Sequence, residues 1–331
     1  MSKEYNLISD FDYRIIAAFF AGLDRQGPGD DTQTRRALSF IDGLPPRPRI
    51  ADIGCGTGRQ TAVLASALDG PVTAVDLLPE MIEGLHRRME TEGRTEQVTG
   101  IVASMLSLPF AEASFDLLWA EGSIYNIGFE KGLTQWRQFL KPDGFIAVTE
   151  CSWLSSARPD EMGFFRDNFP EIDDISGKIR CMERAGYRPV AHFILPDSCW
   201  TENYYAPAAA RAREFLATYD DAPLARHFVE RLEEEIEQYV PSLRPSLRLC
   251  LLHRATDRVI RMHTHSEGRQ HRLPALVPFG RYRSITPEPT SVSPSYQTAN
   301  WPGVTPRWGS SKSRYPPSSH TTSSAPCNGW R

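Results

Sequence analysis

Short apolar runs alternate with longer periodic segments between Arg49 and about Leu195. Runs of four to six β-branched or large apolar residues predict strands, and segments with apolar residues every three or four positions predict helices. Strands alternating with helices of this length are typical of βαβ units, so the pattern predicts an α/β fold with a parallel sheet covered on both faces. The predicted strands are residues 49–53, 72–76, 98–103, 115–120, 145–150 and 187–195, and the helices between them are 60–68, 79–92, 131–140 and 174–185.

Helical patterns also flank this alternating region. Residues 11–23 and 31–44 precede it, and we interpret residues 1–46 as an N-terminal helical lid. Residues 206–239 follow it and predict a helical insertion near 200–240. The acidic stretch 230–237 within that insertion predicts a solvated helix face.

The composition changes sharply after about residue 243. Residues 1–243 hold 24 basic and 38 acidic residues, a formal charge of −14, whereas residues 244–331 hold 13 and 3, a charge of +10. In residues 281–331, 25 of 51 positions are Pro, Ser or Thr. We expect residues 47–252 to form the main domain and residues 253–331 to form a disordered basic tail. A shifted reading frame would produce the same kind of ending, so both origins stay open.

The overall composition excludes several classes of protein. The chain has 331 residues, 40% of them hydrophobic, and no run of 18 apolar residues, so we expect no membrane span. No signal peptide is visible, and we expect a cytoplasmic protein. The acidic main domain argues against nucleic-acid binding. Six cysteines form no CxxC pair and show no metal-ligand spacing, so we expect reduced thiols and no metal.

The segment after the first predicted strand carries the clearest chemistry. Glycines occupy positions 54, 56 and 58, Asp52 lies inside the strand, and Asp76 ends the second strand. A dinucleotide site expects a third glycine where this chain has Arg59, so a nicotinamide oxidoreductase is disfavoured. Glycines spaced by two suit a ligand with an amino-acid end, such as S-adenosylmethionine (SAM). Asp52 can organise hydrogen bonds to its ammonium group, directly or through water, and Asp76 can accept from its ribose hydroxyls.

Four segments in order carry a family resemblance: ADIGCGTG (51–58), AVDLLPEMI (74–82), LPFAEASFDLLWAEG (108–122) and FLKPDGFIAVTE (139–150). With them, residues 10–240 resemble the class I SAM-dependent methyltransferases, in particular the type 11 subgroup of ubiquinone and menaquinone biosynthesis. The resemblance implies a Rossmann-like seven-stranded sheet, SAM as the cofactor and a small-molecule methyl acceptor. The seventh strand of that sheet would be antiparallel and lie beside the sixth, and residues 247–252 are the candidate for it.

The resemblance also implies roles for individual residues. The glycine loop and Asp52 would hold the methionine end, Asp76 the ribose, and Leu77 would pack on adenine. Many family members have an acidic residue where this chain has Ser104 and Met105. Its absence is the one feature that supports a catalytically silent SAM-binding module. The implied cofactor residues are Asp52, Gly54, Gly56, Gly58, Asp76, Leu77, Ser104, Met105, Glu121 and Gly122.

The methyl acceptor should sit beyond the carboxyl ends of the strands, where ligands bind in open α/β sheets. The acceptor-pocket candidates are Tyr125, Asn126, Trp153, Trp200 and Tyr204, each of which could instead be ordinary packing. Glu121 and Glu150 are the candidates for a general base, with a structural or cofactor hydrogen bond as the alternative for each. We predict methyl transfer to an O, N or C centre of a small molecule by a monomer or homodimer. The alternatives are an RNA or protein methyltransferase, or the silent module.

Overall fold

The computed structural model describes residues 12–154, 163–219, 222–242, 249–255 and 283–284. The chain divides into two compact units, residues 1–287 and 288–331, and all of the described residues lie in the first. The predicted tail, residues 253–331, lies outside the described residues except for 253–255 and 283–284.

Ten strands and ten α-helices occur in the described residues. The strands are β1 Ile50–Ile53, β2 Val72–Asp76, β3 Val98–Val102, β4 Phe115–Ala120, β5 Leu140–Glu150, β6 Ser152–Trp153, β7 Asp173–Asp174, β8 Tyr187–Phe193, β9 Leu249–Ala255 and β10 Arg283–Ser284. The helices are α1 Tyr13–Phe20, α2 Asp31–Leu38, α3 Arg59–Ala67, α4 Pro79–Thr91, α5 Phe129–Trp136, α6 Gly163–Asn168, α7 Ile175–Arg184, α8 Ser198–Trp200, α9 Ala206–Tyr219 and α10 Pro223–Ser242. Single 3-10 turns occur at Ile124–Ile127 and Arg137–Phe139, and a π-helical turn, Thr201–Tyr205, joins α8 to α9.

The central sheet has the order β10-β8-β9-β5-β4-β1-β2-β3. β9 is antiparallel to β5 and β8, and the remaining pairs are parallel. The α/β prediction is therefore confirmed, and so is the antiparallel seventh strand beside the sixth. The two-residue β10 adds an eighth strand that was not predicted. β6 and β7 form a separate two-stranded sheet.

Side chains alternate between two apolar layers, one on each face of the sheet. In β4, Leu117 and Trp119 join one layer while Leu118 and Ala120 join the other, and all four are buried. Helices α3 and α4 cover the first layer and α5 and α7 the second, which is why the central strands are apolar throughout.

The element boundaries differ from the prediction in two places that matter for the site. The strand predicted at 145–150 begins earlier, at Leu140, and β5 has a register irregularity opposite Phe115–Leu117. The predicted helical insertion near 200–240 consists of α8, the π-helical turn, α9 and α10. A π-helical turn inside a helix is uncommon and frequently marks a functional site.

Candidate functional site

The glycine loop between β1 and α3 folds back onto β2. The amides of Gly54 and Cys55 both donate to the Val75 carbonyl, at 2.8 and 2.9 Å. Gly54 and Gly56 have φ of +77° and +55°, and an added Cβ would collide with Ser123 at the first and with the Gln26 amide at the second. Side chains are excluded there for both reasons, so the loop offers its backbone to a ligand at close range.

Asp52 lies beneath this loop and is fully buried. Its Oδ2 accepts a 2.6 Å hydrogen bond from Thr61 Oγ1, whereas Oδ1 has no partner in the described part of the chain. Burial raises the pKa of Asp52 to about 7, helped by the nearby charge of Glu121 and opposed by the Thr61 hydrogen bond. A buried carboxylate oxygen without a donor is unusual and points to a donor that a ligand would bring.

Asp76 is the last residue of β2, and its side chain holds the glycine loop through a hydrogen bond. Its Oδ2 accepts from the Gly56 amide at 2.9 Å and its Oδ1 from the Leu78 amide at 3.0 Å, while burial raises its pKa. The next residue, Leu77, is 44% exposed, which fits a side chain that a ligand ring would cover.

Ser104 and Met105 follow β3, the strand beside β2. The Ser104 hydroxyl accepts from the Leu106 amide at 3.2 Å, and the Met105 carbonyl accepts from Trp136 Nε1 at 2.9 Å. Both residues lie at the same sheet edge as Asp76, because the Ala103 amide donates to the Asp76 carbonyl.

The N-terminal segment covers the glycine loop. Gln26 accepts from the Thr57 amide at 2.9 Å and donates to the Leu23 carbonyl at 2.8 Å. Arg25 bridges Glu121 at 2.9 Å and Asp31 at 2.8 Å. Together they cover a small cleft lined by Arg25, Gln26, Gly27, Pro28, Gly54, Cys55, Gly56, Gln60, Glu121 and Gly122.

The same segment is also held by the insertion. Asn203, in the π-helical turn, donates to the Gly29 carbonyl at 2.9 Å and to Asp30 Oδ2 at 3.2 Å. Asp30 in turn begins α2, because its side chain accepts from the Thr32 amide.

Glu121 follows β4, as predicted, but its partners argue against the role of a general base. Arg25 donates to its Oε1, and Thr34 Oγ1 and Trp119 Nε1 donate to its Oε2 at 2.9 and 3.2 Å. Carboxylate oxygens occupied by these donors are poor proton acceptors, and we reassign Glu121 to anchoring the N-terminal segment. Gly122, beside it, donates to Thr149 Oγ1 at 2.6 Å and has φ of +70°.

Glu150, the second candidate base, is also paired. Lys178 Nζ lies 2.9 Å from its Oε1, both side chains are at most 2% exposed, and the ammonium sits 4.4 Å from the centre of the Phe129 ring. Burial raises the pKa of Glu150 and Lys178 opposes that rise. A carboxylate neutralised by a buried lysine serves structure, so we withdraw Glu150 as a base.

The predicted acceptor residues split into two groups. Trp153, Trp200 and Tyr204 are buried, and Trp200 stacks on Tyr239 with ring centres 5.0 Å apart. Tyr125 is 37% exposed and packs against Phe169. The exposed Asn126 turns its amide back to the Ser123 carbonyl at 2.9 Å, so its side chain closes a local turn.

Glu235 is a residue that the sequence interpretation missed. The acidic stretch was expected to be solvated, but Glu235 is only 5% exposed and accepts a 3.0 Å hydrogen bond from the Tyr205 hydroxyl. Its spacing gave a usable signal, because it falls three residues after Leu232 and four before Tyr239, both fully buried on the same helix face.

Comparison with known proteins agrees with this geometry. A methyltransferase-domain family model matches residues 50–144. The O-methyltransferase rstn1 of Aspergillus nomiae is 32% identical over 157 residues, covering 45% of this chain and 68% of that protein. The 27-O-demethylrifamycin SV methyltransferase of Amycolatopsis mediterranei is 28% identical over 128 residues, covering 38% of this chain and 47% of that protein.

A solved structure shares the fold. The SAM-dependent methyltransferase from Thiobacillus denitrificans, in complex with S-adenosyl-L-homocysteine, superposes with a TM-score of 0.65 at 19% identity, covering 75% of this chain and 100% of that one. The two curated relatives are matched over only about half to two thirds of their length. No helix among the described residues is long and apolar enough to cross a membrane.

Proposed function

The chain belongs to the class I SAM-dependent methyltransferases, and we propose that it transfers a methyl group from SAM to a hydroxyl group of a small molecule. The main support is the unpartnered, buried Oδ1 of Asp52 beneath a glycine loop that admits no side chains. A ligand with an ammonium group and a carboxylate satisfies both features at once.

The residues present fit SAM. Asp52 would accept from the ammonium group, directly or through water, and the backbone of Gly54, Gly56 and Gly58 would hold the carboxylate. Asp76 retains lone pairs for the ribose hydroxyls besides its two backbone donors. Leu77 would cover one face of the adenine, with Ser104 and Met105 at its rim.

SAM, when bound, supplies an electrophilic methyl group on a sulfonium centre. The protein must then orient the acceptor and exclude water. Arg25 and Gln26 line the cleft on the side of the N-terminal segment. The buried rings of Trp200 and Tyr204 would supply an aromatic wall for the acceptor. Aromatic surface with a few polar groups suits a small, partly planar acceptor.

The hydroxyl class draws its support from the relatives, since several carry O-methyltransferase names. Among the described residues nothing favours an RNA or protein acceptor, and the main domain is acidic. We include in the proposal the lid at residues 1–46, the catalytic domain at 47–252, the appended tail at 253–331, a cytoplasmic location and a monomer or homodimer. Cys55, Cys151, Cys181 and Cys199 are free and buried.

Transfer of a labelled methyl group tests the proposal. The full chain, methyl-labelled SAM and a metabolite extract of the source organism are incubated, and small molecules, protein and RNA are counted separately. We expect label in the small-molecule fraction, on oxygen. Label on nitrogen or carbon would correct the acceptor class, and label only in protein or RNA would overturn the proposal. Calorimetric binding of SAM without any transfer would indicate the silent module instead.

A further inference from the structure

Besides Asp76, which holds the glycine loop, four carboxyl side chains of the described residues are largely buried: Asp52, Glu121, Glu150 and Glu235. Two of them are neutralised, Glu121 by Arg25 and Glu150 by Lys178. Asp52 lies under the glycine loop, where the proposed cofactor needs it. Glu235, on α10, is the fourth, and it has no ion pair with any described residue.

Glu235 sits in an aromatic environment that joins α10 to the π-helical turn. The Tyr205 hydroxyl donates to its Oε1 at 3.0 Å, and the rings of Tyr204 and Tyr239 lie 5.1 and 5.0 Å from that of Tyr205. These contacts exclude water and bring no cation. Burial therefore raises the pKa of Glu235 to about 7, against the lowering effect of the Tyr205 hydrogen bond.

Titratable groups from three elements lie near Glu235. Burial raises the pKa of Tyr125 and Cys151, which follow β4 and β5, and of Tyr204 and Tyr205 in the π-helical turn, and the negative charge of Glu235 adds to each rise. The same turn carries Asn203, which donates to the Gly29 carbonyl in the segment that covers the glycine loop. Through its hydrogen bond to Tyr205, Glu235 therefore lies on the side of the sheet where the acceptor is expected.

Unsatisfied polar atoms lie in the same region. Ser152 Oγ and Trp200 Nε1 are buried and have no hydrogen-bond partner in the described part of the chain. The Trp200 ring lies 5.7 Å from that of Tyr205, and Ser152 is next to Cys151. Buried polar atoms are nearly always satisfied, so this group indicates a ligand that brings its own donors and acceptors.

We propose that Glu235 is the proton acceptor of the methyl transfer and that Tyr205 relays the proton to it. This inference rests on the proposed function, because it requires a hydroxyl acceptor. The acceptor oxygen forms a bond to the methyl carbon as the carbon–sulfur bond breaks and leaves its electron pair on sulfur. The hydroxyl proton passes to the Tyr205 oxygen while the Tyr205 proton passes to the Glu235 carboxylate.

The test compares Glu235→Gln with Glu237→Gln, a matched change at an exposed position on the same helix. Initial rates of label transfer are measured in dilute extract, where they are proportional to kcat/KM, across the range from acid to mildly alkaline pH. In the wild type and in Glu237→Gln, we expect the rate to rise through about pH 7, because the acceptor carboxyl must be deprotonated.

Glu235→Gln should be at least about 100-fold slower, with no inflection near neutrality and with SAM affinity unchanged by calorimetry. Tyr205→Phe should be slowed as well, and Glu235→Asp should retain the inflection at a reduced rate. The inference is overturned if Glu235→Gln matches Glu237→Gln, or if it is slow but keeps the inflection. If Glu235→Gln does not fold, the pH–rate profiles of the wild type and of Glu235→Asp serve as the test. A profile without the inflection in both proteins overturns the inference equally. A wild type that labels no small molecule at all refutes the proposed function instead.

Discussion

Arg25 Nη1 lies 2.9 Å from Glu121 Oε1, and each side chain is only 7% exposed. The pair ties the segment before α2 to the end of β4. Arg25→Met should leave Glu121 buried without its cation and cost about 3–5 kcal/mol of unfolding free energy. Urea denaturation measures this. Arg87→Met, which removes an exposed 4.0 Å contact to Glu83, should stay within about 0.5 kcal/mol of the wild type. An equal loss of unfolding free energy in the two variants would show that the buried pair contributes no more to stability than the exposed one.

Asp52→Asn should weaken SAM binding by about 10- to 100-fold, because a charge-assisted hydrogen bond to the ammonium group is lost. Isothermal titration calorimetry measures it. Asp69→Asn, at an exposed position, is the control and should bind SAM as the wild type does. Unchanged affinity of Asp52→Asn would exclude Asp52 from the cofactor site.

The stability of the ligand-free protein should depend on pH through the same residue. The folded state raises the pKa of Asp52 from 3.8 to about 7, so it binds the proton more tightly than the unfolded state does. This stabilisation is fully present below about pH 4 and is lost as the pH rises through about 7, at up to about 1.4 kcal/mol per pH unit. The free energy of unfolding of Asp52→Asn, measured by denaturation between about pH 4 and pH 7, should therefore fall less steeply than that of the wild type. Identical slopes would contradict the raised pKa.

Comparison of Gly56→Ala with Gly93→Ala separates the cost of backbone strain from the cost of a steric clash. Gly56 and Gly93 have similar φ angles, +55° and +65°, but only at Gly56 would a Cβ meet another group, the Gln26 amide. Gly93→Ala should cost about 1–2 kcal/mol from the left-handed backbone alone. Gly56→Ala should cost more and also abolish measurable SAM binding. Retained binding would mean that the loop tolerates a side chain.

Lys178→Met should destabilise the protein by about 3–5 kcal/mol, because Glu150 would be left as an uncompensated buried charge. Arg184→Met, which removes an exposed contact to Glu130 at 3.9 Å, is the control and should have little effect. Thermal unfolding of both variants decides this. Glu150→Gln should keep a methylation rate far above that of Glu235→Gln, and the reverse order would restore Glu150 as the base.

Two truncations test where the catalytic unit ends. A chain that stops after Ala255 keeps β9, and its thermal midpoint should lie within about 5 °C of the full chain. A chain that stops at residue 248 lacks β9, so β5 and β8 lose their shared neighbour and cooperative unfolding should disappear. Loss of folding in the longer of the two truncated chains would assign a structural role to residues beyond 255.

The sequence was sufficient to predict the site features that are formed by short, consecutive segments of the chain. Asp52 and the glycine loop could be found because a strand, a turn and a helix follow one another within a few residues, and Asp76 because it ends the next strand. The Arg25–Glu121 pair could not, since 96 positions separate its members and Arg25 alone looks like an ordinary surface charge. The burial of Glu235 was not predicted. Four other glutamates nearby suggested a solvated helix face, although the helical spacing of Glu235 indicated the core.

The placement of β9 also bears on how the chain folds during synthesis. β9 separates β5 from β8, yet it follows them in sequence by about one hundred and about sixty residues. Until β9 has left the ribosome, the nascent chain can pair β5, β4, β1, β2 and β3 with one another. β8 cannot yet join them, because the strand that lies between β8 and β5 is missing. Non-local pairing of this kind slows folding. The emergence of β9 therefore determines when the helical segment between β8 and β9 can first join the part of the sheet that carries the glycine loop.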